Sequence, residues 1–351
     1  MRGLVFLGER RLELREFPEP KPGFSEVVIQ MRASGICGTD LKRYRAPLSK
    51  GADPSALPAS GHEPCGEVIE IGPGVRKIKV GDRILPFHYL GCGHCRWCNA
   101  GYFQLCIDPE IGHLSGKNVL LGTTCNGSNA DRIAIDETMC ILMPDELSYE
   151  EGAACACVAA TAHDALQKLN VSGRDTLAIY GQGPVGLSTT VLAVATGARV
   201  IVVEPSAYRR ELAKSLGCAV ALDPRETDPV ETIKGLTNGE GADATLDSTG
   251  IAETRVNTIR SARIYGRACF VGTAANETSF NVHSDIQWKQ LTIYGTWTTN
   301  KSGMAEFAHY VADRKVPLKK IITHRFRLEQ AAEAYKLFDA GETGKVVFTW
   351  E

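Results

Sequence analysis

Residues 91–106 read GCGHCRWCNAGYFQLC and set Cys92, Cys95, Cys98 and Cys106 in a C-x2-C-x2-C-x7-C spacing. Thiols this close can form disulfides, a redox pair, an iron–sulfur cluster or a zinc site. Disulfides belong to oxidising compartments. The N-terminus, MRGLVFLGERRLELREFPEP, carries only a short apolar stretch before Glu9, Arg10 and Arg11, so it does not read as a secretory signal. Ferredoxin-type clusters favour a C-x2-C-x2-C-x3-C-P run, whereas here the last interval is longer and Ile107, not proline, follows Cys106. Four thiolates complete a tetrahedral zinc site, so zinc is expected, with iron–sulfur ligation and plain reduced cysteines as the weaker alternatives. A site with four protein thiolates keeps no open position. Such a metal would shape a lobe, and reaction chemistry must lie elsewhere.

A second signal is GQGPVG, Gly181 to Gly186, a G-x-G-x-x-G match. It follows the apolar run TLAIY and opens a helical stretch. In that setting Gly181 makes the tight turn, Gly183 lets the backbone approach a pyrophosphate, and Gly186 lets helix and strand pack closely. Pro184 and Val185 begin the helix, whose first N–H groups and dipole attract phosphate. Glu204 ends the next strand, about 20 residues on, where a carboxylate binds the adenosine ribose and repels a 2′-phosphate. NAD is therefore expected over NADP, although Arg209 and Arg210 lie close by and also suit a phosphate. The bland alternative is a glycine turn with a surface glutamate.

A third group sits earlier, in GICGTDLKRY and SGHEPCGEV: Cys37, His62 and Glu63 can offer thiolate, imidazole and carboxylate to one metal. Taken alone, Cys37 reads more readily as a small buried hydrophobe and His62 as a core histidine.

These side chains need elements to hold them. The chain has 351 residues, 44% hydrophobic and 23% charged, with a formal net charge of −2. That length predicts two domains. The charge balance gives no reason to expect nucleic acid, and no apolar run reaches the roughly 18 residues of a membrane span, so a cytoplasmic protein is expected, without nucleic-acid or membrane partners. Residues 1–145 hold short alternating runs broken by Gly and Pro (EVVIQMRASGICG, CGEVIEIGPGV, GDRILPF), as in an antiparallel β lobe. Ser148 with Glu151 forms a capping-box signature that starts a helix near Tyr149. From about 174, apolar strands (DTLAIYG, ARVIVVE, CAVALD, DATLDST, RACFVGT, LTIYGTW) alternate with helices, which predicts a parallel sheet covered on both faces. Two helices, about 302–314 and 328–341, and a closing strand, KVVFTW, are expected to return to the first lobe.

In this order and spacing, GICGTD, GHEPCGEVIEIGPGV, GDRI, the four-cysteine lobe and GQGPVG resemble the zinc-dependent medium-chain dehydrogenase/reductases, the family of alcohol, sorbitol and threonine dehydrogenases. The resemblance covers nearly the whole chain. It implies an α/β fold: a GroES-like, β-rich catalytic domain (1–150 and 297–351, with the zinc lobe at 91–106) around a doubly wound Rossmann domain (151–296). It implies two zinc ions per chain, NAD, a small-molecule substrate and a homo-oligomer, dimer or tetramer. By that likeness Cys37 and His62 are catalytic zinc ligands, with Glu63 beside the metal. Asp40 would hold the ligand histidine, and Thr39 would take the substrate proton. CVAAT makes Cys157 the further ligand, with Cys155 about 200° around the same helix as core, and Thr161 beside the nicotinamide. Thr249, Gly250, Gly272 and Thr273 would line the cofactor, and Lys345 would sit on the pyrophosphate. Lys42 stands where many relatives carry a proton-relay histidine, so it is expected either to relay or to anchor a polar substrate. Lys42, Arg43, Arg45 and Lys50 would border the pocket mouth, with Trp297 and Tyr44 as an apolar wall. The implied reaction is hydride transfer between NAD and a secondary alcohol: a polyol, sugar-derived or amino alcohol. A zinc-free enone or quinone reductase of the same fold and a non-catalytic cofactor binder are the alternatives.

Overall fold

The computed structural model describes residues 1–115, 119–274 and 277–350. The N-terminal part supplies β1 (Arg2–Gly8), β2 (Arg11–Glu16), β3 (Glu26–Gly35), β4 (Pro64–Ile71), β5 (Arg83–Pro86), β6 (Arg132–Asp136) and β7 (Cys140–Leu142). β1 and β2 form a separate antiparallel hairpin. β3 is the spine of the larger sheet. Val27, Ile29, Met31 and Ala33 are all wholly buried along one face, the two-residue period that a strand requires. β3 pairs antiparallel with β4 and β6. A short helix, α1 (Gly38–Arg45), leaves its end, and α2 (Arg96–Asn99) sits within the cysteine-rich loop.

The capping box at Ser148 and Glu151 is present and starts α3 (Tyr149–Cys155). The chain then breaks and resumes as α4 (Val158–Lys168). A single helix through ACACVAAT was expected. Instead Cys157 is a non-helical N-cap, with φ −149° and ψ −76°.

The middle of the chain gives β8 (Thr176–Tyr180), α5 (Pro184–Ala195), β9 (Arg199–Val203), α6 (Ala207–Ser215), β10 (Val220–Leu222), β11 (Ala242–Asp247), β12 (Ala262–Phe270) and β13 (Thr292–Gly295). These strands form a parallel sheet in the order β10-β9-β8-β11-β12-β13. The central strands β8, β9 and β11 are buried on both faces, whereas the edge strand β13 is largely exposed. Leu177, Ile179, Val200 and Val202 join one core, while Ala178, Tyr180, Ile201 and Val203 join another on the opposite face. Strand order reverses beside β8, because the chain goes to β9 on one side and later to β11 on the other. Ligands of such sheets bind at that switch point, beyond the carboxyl ends of the strands. Gly181 lies there.

Helix Lys301–Arg314 follows. The chain then adds β14 (Ile322–Phe326), helix Ala331–Ala340 and β15 (Lys345–Thr349). β15 pairs antiparallel with β3, setting Val347 opposite Gly35. The tail thus completes the first sheet, in the order β14-β15-β3-β4-β5-β7. Among the described residues, no helix is long and apolar enough to cross a membrane.

Candidate active site

α1 begins where β3 ends, and its start is fixed locally. The Cys37 N–H donates to Asp40 Oδ2 at 2.9 Å. The other oxygen, Asp40 Oδ1, lies 3.2 Å from His62 Nδ1, and Asp40 is 3% exposed. A buried carboxylate on Nδ1 directs Nε2 outward as the free ligand atom. Thr39 Oγ1 lies 3.3 Å from that Nε2. One turn of helix therefore sets the thiol, the hydroxyl and the carboxylate that orients the imidazole.

The break before α4 brings in Cys157. Ligand atoms of Cys37, His62, Glu63 and Cys157 all lie within 4.8 Å of one another. Cys155 is wholly buried in the core. The selection of Cys157 over Cys155 thus comes from the helix break, not from opposite faces of one continuous helix. Cys37 is held well below the ordinary thiol range, chiefly by its hydrogen bond with Cys157 and further by His62. The same contact pushes Cys157 well up. Burial pushes Glu63 up to about 8, against the pull of Lys345, and its Oε1 has no hydrogen-bond partner. Two sulfurs, an imidazole and a buried carboxylate with an orphaned oxygen make a donor set suited to zinc.

Lys345 departs from expectation. It is wholly buried, donates from Nζ to the Ile36 carbonyl at 2.9 Å, and pairs with Glu63 Oε2. It therefore backs the metal-type cluster instead of facing a pyrophosphate. The cause is register: β15 alongside β3 brings Lys345 to the end of β3. Gly35 makes the room, since a Cβ there would overlap Glu63 Oε2 and lie 2.7 Å from Lys345 Nζ.

The four lobe cysteines form a second cluster, again with sulfurs within 4.8 Å of one another. All of the chain's cysteines are free thiols. The Cys95 N–H donates to Cys92 Sγ at 3.3 Å and the Cys98 N–H to Cys95 Sγ at 3.5 Å, contacts that stabilise thiolate charge. The arrangement fits a closed four-sulfur site.

A cavity of about 490 Å³ opens over Cys37, His62 and Cys157 and runs to the carboxyl end of the parallel sheet. Its far wall includes Gly183, Pro184 and Val185 from the glycine turn, and Thr249, Gly272 and Thr273 from the loops after β11 and β12. The glycines act as their spacing implies. Gly181 has φ +90°, and a Cβ there would come 2.5 Å from Thr249 Cγ2. A Cβ on Gly186 would overlap the Gly181 carbonyl oxygen, whereas one on Gly183 would meet nothing within 4 Å. Only Gly183 faces open space, as a pyrophosphate cradle requires. Thr161 lines the same cavity with a buried, unpartnered Oγ1. Both features fit a dinucleotide.

Glu204 Oε2 accepts the Gln182 N–H at 2.6 Å and Oε1 the Ser206 N–H at 2.9 Å. The carboxylate is thus fixed at the turn, with lone pairs to spare. Arg209 lines the cavity and donates from Nε to the Thr343 carbonyl at 2.9 Å. Arg210 is turned away onto Asp223 at 2.9 Å and onto the Glu204 and Pro205 carbonyls.

Of the basic run after Thr39, Lys42 and Arg43 line the cavity. Lys42 Nζ crosses to the other wall and donates to Thr273 Oγ1 at 3.1 Å. Arg43 bonds to the Gly122 carbonyl. Arg45 is instead paired with Asp339 at 2.5 Å, and Lys50 is exposed. Tyr44 is buried against Tyr335, away from the cavity, while Trp297 lines it. His88, Tyr89 and His113 also line it, and the sequence reading missed them because no motif surrounds these residues. Their one legible cue was that His88 and Tyr89 directly continue the apolar run RILPF of β5.

Comparison with known proteins gives a consistent assignment. The family described as "Alcohol dehydrogenase GroES-like domain" matches residues 23–145, and "Zinc-binding dehydrogenase" matches residues 184–313. The Escherichia coli (strain K12) protein YphC, an uncharacterized zinc-type alcohol dehydrogenase-like protein, is 37% identical, covering 98% of this chain and 97% of its own. L-threonine 3-dehydrogenase of Pyrococcus horikoshii is 34% identical, covering 96% of this chain and 94% of its own. The crystal structure of 2R,3R-butanediol dehydrogenase from Bacillus subtilis superposes with a TM-score of 0.85 at 26% identity, covering 100% of this chain and 99% of that one. The chain belongs to the zinc-type medium-chain dehydrogenase family, oxidoreductases that join a GroES-like domain to a Rossmann-type parallel sheet.

Proposed function

We propose that this protein is a dehydrogenase that uses two zinc ions and NAD to oxidise a secondary alcohol bearing further polar groups: a polyol, a sugar-derived alcohol or an amino alcohol. The observation that carries this reading is the convergence of Cys37, His62, Glu63 and Cys157 at one end of a cavity whose other wall is the glycine turn. With both groups bound, zinc supplies Lewis-acid polarisation of the alcohol oxygen and the nicotinamide supplies the hydride acceptor. The remaining work falls to the chain. Cys37, His62 and Cys157 would hold the metal, with the Glu63 carboxylate beside it, backed by Lys345. Asp40 fixes the His62 ring. The Thr39 hydroxyl, which lines the cavity beside His62, would take the alcohol's proton while passing its own to solvent water in the cleft. Thr161 offers its unsatisfied hydroxyl to the nicotinamide end, and Gly183 leaves the pyrophosphate its space. Glu204 at the ribose position favours NAD.

A polar substrate is supported by Lys42, Arg43 and His88 in the cavity, and by relatives named for threonine and butanediol oxidation. The lobe cysteines form a closed set, so their zinc would serve folding; structural zinc contributes on the order of 10 kcal/mol.

Metal analysis of purified wild type, Cys37→Ser and Cys95→Ser tests this reading. Two zinc ions are expected in the wild type. Cys37→Ser should stay folded and bind NAD without turnover, whereas Cys95→Ser should lose solubility or melting temperature. A wild type without zinc, or a Cys37→Ser protein with near-normal turnover, refutes it.

A further inference from the structure

Behind the metal-type cluster lies a group of wholly buried polar side chains: Ser34, Ser60, Ser128, Asn129 and Tyr335. None of these five lines the cavity. Asn129 is their centre. Its Oδ1 accepts the Ser34 hydroxyl at 2.7 Å, and its Nδ2 donates to Ser60 Oγ at 3.1 Å and to the Tyr335 hydroxyl at 3.3 Å. Ser34 Oγ also lies 2.7 Å from Ser128 Oγ. Both amide hydrogens and the amide oxygen are thus paired, which is the condition for burying such a group at little cost.

The two serines that Asn129 joins sit where the ligands enter. Ser34 stands on β3 just ahead of Cys37, and Ser60 stands just ahead of His62. Between Ser60 and His62, Gly61 has φ +91°, and a Cβ there would come 2.6 Å from Asn129 Cγ and 2.6 Å from Ser128 Oγ. The amide is therefore packed against the backbone of the residue that precedes the ligand. Main-chain bonds run alongside: the Asn129 N–H donates to the Ser60 carbonyl at 2.8 Å, and the Ser128 N–H to the Gly61 carbonyl at 3.0 Å. On the third side, the Tyr335 ring lies 5.3 Å from that of Tyr44 in α1, the helix that carries Thr39 and Asp40.

An apolar side chain of the same shape would fill this space, and replacing buried polar partners by apolar ones can be nearly neutral for stability. What a planar amide with three directed bonds adds is geometry. A metal site needs its ligands held within about 0.5 Å of their working positions. We propose that Asn129 is a positioning residue for the catalytic metal: its buried amide bridges the segments that bring in Cys37 and His62 and fixes their separation, without touching metal, cofactor or substrate. The assignment rests on the zinc-dehydrogenase reading above.

Zinc release to a chromogenic chelator tests it. Cys37→Ser removes a ligand, so the release phase present in the wild type and absent from Cys37→Ser reports the cluster, and the remainder reports the lobe. Ser34→Ala and Ser60→Ala each delete one end of the bridge with little loss of volume, and Asn129→Leu deletes both ends. All three should release the cluster zinc at least fivefold faster and lower kcat at least fivefold, with the lobe phase and NADH affinity within twofold of wild type. Tyr335→Phe removes a bond from the same amide but leaves the bridge in place, so it should melt lower while both phases stay within twofold. That control separates positioning from stability. If either Ser34→Ala or Ser60→Ala releases the cluster zinc as slowly as Tyr335→Phe, the amide is no bridge and the assignment is overturned, even where Asn129→Leu fails to fold. A wild type with no release phase beyond that of Cys37→Ser overturns the dehydrogenase reading, and this assignment with it.

Discussion

The glycine turn allows a prediction in which two substitutions of the same size have opposite consequences. At Gly186, an added methyl overlaps the Gly181 carbonyl oxygen and sits 2.9 Å from the Gly181 carbon. Neither partner is a flexible side chain, so α5 must move away from β8. Gly→Ala inside a helix ordinarily stabilises by up to about 1 kcal/mol, and overpacking a fixed interior costs about 1–3 kcal/mol. The backbone overlap should dominate, giving a net loss of roughly 1–2 kcal/mol and, for a chain of 351 residues, a melting temperature lower by about 1–3 °C. At Gly183, the methyl meets no atom within 4 Å. Its backbone, φ −67° and ψ −175°, suits alanine. Gly183→Ala should therefore melt within about 0.5 kcal/mol of wild type. Its methyl occupies the space reserved for the pyrophosphate, so NAD affinity should drop at least tenfold. Differential scanning calorimetry of the apo proteins and fluorescence titration with NADH separate the two effects. The reasoning is refuted if Gly183→Ala binds the dinucleotide as the wild type does, or if Gly186→Ala melts no lower than wild type.

The remaining predictions concern charge in the same cleft. Glu204→Ala should weaken NAD and improve NADP, narrowing the preference between them, as measured by kcat/KM for each cofactor; a wild type that already prefers NADP would show that Arg209 governs the choice. Lys42 reaches Thr273 on the opposite wall, while Thr39 contacts His62. Lys42→Ala should therefore raise KM for polar substrates with the pH profile of kcat unchanged. A lower kcat with a shifted profile, rescued by small amines, would make Lys42 a proton relay instead.

What the sequence made legible, and what it hid, divides along the range of the interactions involved. The start of α3 was readable because Ser148 and Glu151 lie one turn apart and satisfy each other's backbone. β8 and β9 were readable because a strand buried on both faces must be apolar throughout. The glycine turn was readable because all three steric demands fall within six consecutive residues. The break at Cys157 was not. ACACVAAT holds helix formers on both sides, and it carries neither the proline nor the glycine that usually marks an interruption. The partner of Lys345 was hidden for a related reason. Lys345 lies 282 positions from Glu63 in sequence, and only the antiparallel register of β15 on β3 brings them together. The lysine's ammonium, wholly buried, then becomes the counter-charge beneath a cluster of thiols and a carboxylate. Removing one partner of such a pair strands the other charge away from water, at a cost of about 3–5 kcal/mol. The position that reads from sequence as a cofactor contact is thus tied to the ligand set itself, and Gly35 has no side chain because the pair occupies that space.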